Sequence, residues 1–108
     1  MGKGDYLGEF EQLVLLALVR LGTNAYGMTI RREIEERAGR SVSIGAVYTT
    51  LDRMERKGYV SSHEGEATPE RGRRAKRFFR LEAPGEKALR ESLRVVKAMR
   101  AGLSLAEV

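Results

Sequence analysis

Residues 41–60, SVSIGAVYTTLDRMERKGYV, constrain the chain more than any other stretch. Ile44, Val47, Leu51 and Met54 recur at three- and four-residue steps, the spacing of one apolar helix face. Ser41 and Ser43 are of the type that caps a helix N-terminus by accepting from an orphan N–H, and Gly58 marks a natural stop. The opposite face is lean, polar and basic: Gly45, Ala46, Thr49, Arg53 and Arg56. The DNA major groove admits one helix of that cross-section. With only two arginines as strong charge, such a helix needs a core behind it and further cations beside it to hold DNA.

The preceding residues supply the core. Over Glu9–Leu21, Phe10, Leu13, Val14, Ala17, Leu18 and Leu21 share a face, and Leu15, Leu16 and Val19 widen it almost all round. A helix this apolar is covered on more than one side, by the chain's own last helix or by a second subunit. Residues 22–25 read as a turn, with Thr23 or Asn24 as the natural N-cap of a second helix over residues 26–38. Ile30, Ile34 and Ala38 line its inner face. Arg31, Arg32, Glu33, Glu35, Glu36 and Arg37 form a solvated outer face, and Gly39 closes it. Gly27 weakens the start of that helix, so close packing or close approach of a partner is its expected reason. Two helices joined by a short glycine-containing turn are the helix-turn-helix form, whose second helix enters the groove.

Residues 59–64 and 75–81 read as paired strands around a charged Gly/Pro loop, with Phe79 and Leu81 inward and Lys76 and Arg80 outward. Arg71, Arg73, Arg74, Lys76, Arg77 and Arg80 concentrate on the tip and returning strand, where they can grip phosphates or a minor groove. A last helix is expected over residues 85–103, its first turn prepared by Pro84. Leu89, Val96 and Leu103 fall seven apart with Leu93 and Met99 between them, a near-heptad stripe interrupted at Arg100. That stripe is expected to pack on a symmetry-related copy and on Leu15 and Leu16 of the first helix.

Composition narrows the function classes. A net charge of +5 and a pI near 9.9 direct attention to nucleic acid or an anionic surface. Without cysteine, disulfides, thiolate metal sites and cysteine nucleophiles are excluded. His63 is the only histidine and has no cysteine or aspartate at ligand or triad spacing, so no catalytic residue, metal or cofactor is expected. The longest apolar run, Leu13 to Val19, is far short of the roughly 20 residues of a membrane span. No signal-peptide pattern opens the chain, and a cytoplasmic protein is the expectation.

In their order, several features resemble the PadR family of bacterial transcriptional regulators. They are Tyr26-Gly27, Ser43-Ile44-Gly45-Ala46-Val47-Tyr48, residues 51–58, Gly72-Arg73-Arg74, Lys76-Arg77-Phe78-Phe79-Arg80-Leu81 and Gly85. The resemblance runs from about Gly8 to Leu103. It implies an α+β, mostly α fold, a winged helix-turn-helix with a C-terminal dimerisation helix. Residues 1–8, with three glycines and no periodicity, read as a flexible arm, residues 9–82 as the winged helix-turn-helix domain, and residues 83–108 as the dimerisation helix and tail. It also implies a homodimer on double-stranded DNA, usually repressing at an inverted repeat. The single C-terminal helix is similar to the short subfamily, some of whose members bind drug-like or phenolic effectors in or near the dimer interface, so a small hydrophobic effector at that interface is implied too. Thr49 stands where the family often has proline and Glu82 where it has threonine, and the chain has no tryptophan.

The expected DNA-binding residues are therefore Ser43, Gly45, Ala46, Tyr48, Thr49, Arg53, Arg56, Arg73, Arg74 and Lys76. Tyr48 suits either the core or a phosphate contact. The expected interface residues are Leu15, Leu16, Leu89, Leu93, Val96, Met99 and Leu103. The rival reading is a basic interaction module that binds RNA or a protein partner through its hairpin, without an operator. It differs in being indifferent to changes at Ala46, Thr49 or Arg53.

Overall fold

The computed structural model describes residues 6–65 and 75–104. Arg71, Arg73 and Arg74 lie outside the described residues. The element order is α1 (Glu9–Leu21), a 3-10 turn (Gly22–Asn24), α2 (Gly27–Ala38), α3 (Ile44–Arg56), β1 (Val60–Glu64), β2 (Arg77–Leu81) and α4 (Ala83–Arg100). This is the winged helix-turn-helix arrangement: three helices around one core, an antiparallel hairpin, and a trailing helix. No helix among the described residues is long and apolar enough to cross a membrane.

The core forms where the apolar faces of α1, α2 and α3 meet. Val14, Leu15, Ile30, Val47, Leu51 and Met54 are fully buried. Burial of this kind stabilises by about 1.5–3 kcal/mol per large side chain. The sequence places Ala38 on the inner face of α2, but that residue is exposed, because the helix ends there and the chain turns away. Gly39 takes φ +69° and closes α2, as a left-handed residue must. The Val42 N–H donates to the Glu35 carboxylate at 3.0 Å, which pins the short turn between the two helices.

Two helix starts differ from expectation. Neither Thr23 nor Asn24 caps α2: both lie in the 3-10 turn, and Tyr26 occupies the cap position in an extended conformation. The Tyr26 N–H donates to Thr29 Oγ1 at 3.0 Å, and that hydroxyl donates to the Asn24 carbonyl at 2.6 Å. Tyr26 is extended because it bridges to Phe78, while the Phe79 N–H donates to the Ala25 carbonyl at 2.8 Å. The stretch before α2 thus lends the hairpin a third edge. α4 begins at Ala83, two residues before the expected Gly85, with Pro84 in its first turn where no N–H is required.

Residues 1–8 are not all a free arm. Leu7 is buried in the core, and its N–H donates to the buried Ser92 hydroxyl of α4 at 2.9 Å. That bond and the Leu89 and Ala88 contacts seat the first half of α4 on α1. The second half turns Val96 and Met99 to solvent at 51% and 75% exposure.

Candidate nucleic-acid interface

α3 is fixed at both ends by backbone chemistry. Of the two candidate caps, Ser43 takes the role: its Oγ accepts from the Ala46 N–H at 3.0 Å. At the far end the Gly58 N–H donates to the Glu55 carbonyl at 3.0 Å and the Tyr59 N–H to the Met54 carbonyl at 2.9 Å. With Gly58 at φ +78°, this is a Schellman stop. The pose of α3 against α2 depends on Gly27. A Cβ there would fall inside contact distance of the Tyr48 ring and hydroxyl. Tyr48 is accordingly half-buried across Gly27, packed against the core. Close packing is therefore what the glycine near the start of α2 serves.

The outer face of α3 is open. Ser43, Gly45, Ala46 and Thr49 are exposed, and a Cβ at Gly45 would meet nothing within 4 Å. Arg56 is exposed and forms no ion pair among the described residues. Arg53 is held differently: its Nε donates to the Glu11 carboxylate of α1 at 3.0 Å. Burial pushes the Glu11 carboxyl up. The Gly8 N–H, the Arg53 hydrogen bond and the charges of Lys57 and Arg53 outweigh that, and it titrates below the ordinary range. Arg53 is thus tethered to α1 while 41% of its side chain remains exposed.

The hairpin pairs Val60 with Leu81 through Glu64 with Arg77, and the Gly65 N–H extends the ladder to the Lys76 carbonyl at 2.7 Å. Phe79 is buried and Arg80 exposed, as the alternation requires. Lys76, expected outward, is half-buried and rests its Nζ 4.2 Å from the Tyr26 ring centroid. A cation over an aromatic face is an electrostatic attraction, and it holds the ammonium against Tyr26. Arg80 lies 3.5 Å from Glu82. That carboxylate is held below its ordinary range first by the Ser61 hydroxyl and then by Arg80. The carboxylate near the start of α4 is therefore engaged by the hairpin and makes no side-chain cap.

Arg77 departs most from the sequence expectation. Its guanidinium is engaged by α3 and β1, with 41% of the side chain still exposed. Its Nη2 donates to Glu55 at 2.5 Å, its Nη1 lies 3.4 Å from Asp52, and its Nε donates to the Ser62 hydroxyl at 3.2 Å. The same period-two rule that puts Phe79 and Leu81 inward puts Arg77 inward with them, and that was the available signal. Glu11 had no comparable signal, since its partner Arg53 is 42 residues away in sequence.

This geometry combines a capped helix with a lean outer face, a two-residue-period wing beside it, and a hydrophobic core behind both. Residues 15–91 match the transcriptional regulator PadR-like family. The chain belongs to that family. Its members are transcriptional regulators, so this PadR-like chain is a DNA-binding regulator of transcription and not an enzyme. Among solved structures, RosR of H. salinarum is 26% identical, with 91% of this chain and 81% of that chain covered at a TM-score of 0.67. A PadR-like transcription factor from Bacteroides fragilis is 24% identical over 84% of this chain and 82% of that one, TM-score 0.73. A PadR-family regulator from Eggerthella lenta is 22% identical over 87% and 81%, TM-score 0.69. The last two show the fold. No curated protein matches the chain at comparable significance.

Of the expected interface residues, Leu15 and Leu89 are buried within the chain itself, at 0% and 6% exposure. They are core residues and have no surface left to offer a partner. Leu93, Val96, Met99 and Leu103 are exposed, and Leu16 is half-buried.

Proposed function

We propose that this PadR-like regulator is a cytoplasmic homodimeric repressor that reads an inverted-repeat operator with the outer face of α3. The observation that carries the reading is the open, capped face of Gly45, Ala46 and Thr49, with Arg56 at its end and unpaired among the described residues. Ser43 and Tyr48 position that face. Small side chains let the helix backbone approach base edges, where a Thr or Ala methyl meets the thymine methyl and Arg reaches guanine. Lys76, and Arg73 and Arg74 beyond the described residues, supply phosphate grip from the wing.

The apolar far half of α4 supports dimerisation. Leu93, Val96 and Met99 form an exposed apolar strip of the kind that marks a protein interface, and the helix, expected to reach residue 103, ends at Arg100, so the exposed Leu103 lies past the Gly102 turn. A two-fold axis through it sets two α3 helices about one helical turn apart on DNA. The groove between α1 and α2, about 360 Å³ and lined by Leu13, Leu16, Ala17, Val19 and Ile34 among others, has the size and apolar character of a small-ligand site. A small apolar or aromatic effector placed there changes DNA affinity by its difference in affinity for the free and DNA-bound forms. A compound screen read by thermal shift and DNA affinity together tests that part, and the absence of any compound moving both removes it.

The function itself is tested by an electrophoretic shift with DNA from upstream of the chain's own gene. The expected result is a sequence-selective, salt-sensitive shift. Exchanging Arg73 and Arg74 for alanine should weaken binding to all sequences and lower the salt slope by about one unit for each phosphate no longer neutralised. Binding that is indifferent to Ala46, Thr49 and Arg53 would favour the interaction-module reading instead.

A further inference from the structure

The charges where the wing meets α3 form a closed network. Glu55 of α3 accepts from both hairpin strands: from the Ser62 hydroxyl of β1 at 2.8 Å and from Arg77 Nη2 of β2 at 2.5 Å. Arg77 Nε donates to the same Ser62 hydroxyl at 3.2 Å, which closes the ring of three side chains. The guanidinium carbon of Arg77 also lies 4.9 Å from the centroid of the buried Phe79 ring. With Nη1 3.4 Å from Asp52 of α3, the planar guanidinium and its rigid donor fork are held on four sides, by Glu55, Ser62, Asp52 and the Phe79 ring.

We propose that Arg77 is a positioning residue that sets the wing's angle to the recognition helix through Glu55 and Ser62, and that it makes no phosphate contact of its own. The proposal rests on the DNA-binding reading above, whose two contact surfaces it connects. β1 leaves α3 through the Schellman turn at Gly58, and β2 is tied to the stretch before α2 by the Phe79 N–H to Ala25 carbonyl bond and the Tyr26–Phe78 bridge. The Arg77–Glu55–Ser62 ring adds a side-chain attachment of both strands to α3 itself, which fixes the remaining angle between wing and helix. Glu55 lies next to Arg56 in sequence, so the same attachment ties the wing to the end of the reading face. Fixing geometry before binding raises affinity without adding a contact.

The charges give the test its sign. Glu55 is an acidic group beside a DNA-facing surface, so electrostatics alone predicts that Glu55→Gln tightens DNA binding. A strut predicts that Glu55→Gln weakens it. The chain contains no cysteine, so Ala46→Cys on α3 and Ala75→Cys at the loop end of the hairpin, both exposed, take spin labels cleanly. Labelled chain diluted with unlabelled chain reports the helix-to-wing distance by pulsed electron resonance, without DNA. The expected result is a narrow distance distribution that broadens in both Arg77→Met and Glu55→Gln. On operator DNA both variants bind on the order of tenfold more weakly, the double variant binds no more weakly than either single one, and the salt slope stays at the wild-type value. Arg77→Lys, which keeps a cation for Glu55, restores part of the affinity.

An unchanged distance distribution in both variants overturns the proposal. So does a salt slope lowered by about one in Arg77→Met together with tighter binding by Glu55→Gln, since that pattern identifies a phosphate contact. A broadened distribution in a protein whose wild type binds no DNA selectively sustains the strut and overturns the DNA-binding reading instead.

Discussion

Gly45→Ala separates what the fold needs from what DNA needs. Gly45 lies in the first turn of α3, and a Cβ built on it meets no atom within 4 Å. Its backbone needs no positive φ, unlike Gly22, Gly39, Gly58 and Gly102. Replacing it with alanine therefore removes unfolded-chain entropy at no steric cost, a gain of about 0.5–1 kcal/mol. For a domain of this size that raises the thermal midpoint by about 2–6 °C. The bound state responds in the opposite direction. If the face of Gly45, Ala46 and Thr49 closes on the groove, the added methyl overpacks that contact, at a cost of about 1–3 kcal/mol. The dissociation constant then rises by a factor of about 5–150. Every phosphate stays neutralised as before, so the salt slope is unchanged. Calorimetry gives the midpoint, and fluorescence anisotropy with labelled operator gives the affinity across a salt series. A more stable protein with unchanged affinity would refute close approach of this face to DNA. A less stable protein would refute the open environment at Gly45.

Three further outcomes follow from the same geometry. Gly85→Ala should lower the thermal midpoint by about 5 °C or more, because its Cβ would fall on the Tyr59 carbonyl, which is backbone and already accepts from the Glu82 N–H. Thermal melts check it. Val96→Asp with Met99→Asp should leave the protomer's helical circular dichroism intact while shifting sedimentation from dimer to monomer, since both side chains are exposed in the single chain. Glu11, Glu33, Glu35, Glu82 and Glu91 all titrate below their ordinary value of 4.5 when folded. Their stabilisation is complete above the unfolded value and disappears as pH falls through the folded ones. The midpoint should therefore be level from about pH 7 to 5 and drop below about 4.5, and melts across that range decide it.

Periodicity made the helices legible. Ile30 with Ile34, and Val47 with Leu51 and Met54, mark their own inner faces, and each is buried. The capping Ser43 and the closing glycines Gly39 and Gly58 are local chemistry, readable within a few residues. What could not be read was set by partners distant in sequence. Tyr26 is extended because Phe78 pairs with it, so neither neighbouring residue, Thr23 nor Asn24, has a helix start to cap. Leu7 is buried in the core, and its N–H is satisfied there by the hydroxyl of Ser92, 85 residues on. The charged residues misled most. A sequence shows the sign of a charge and not its partner, so Arg53 and Arg77 read as free cations although carboxylates hold both. Leu15 and Leu89 read as interface because surplus apolar surface on a helix does not say which cover is internal and which belongs to a partner.

Hydroxyl-radical footprinting of the wild-type chain on its own upstream DNA tests the central claim most directly. Two protected patches are expected on one face of the duplex, centred about 10 base pairs apart and related by the symmetry of an inverted repeat. A single patch, unbroken protection along the fragment, or protection unaltered when the repeat is scrambled would contradict it.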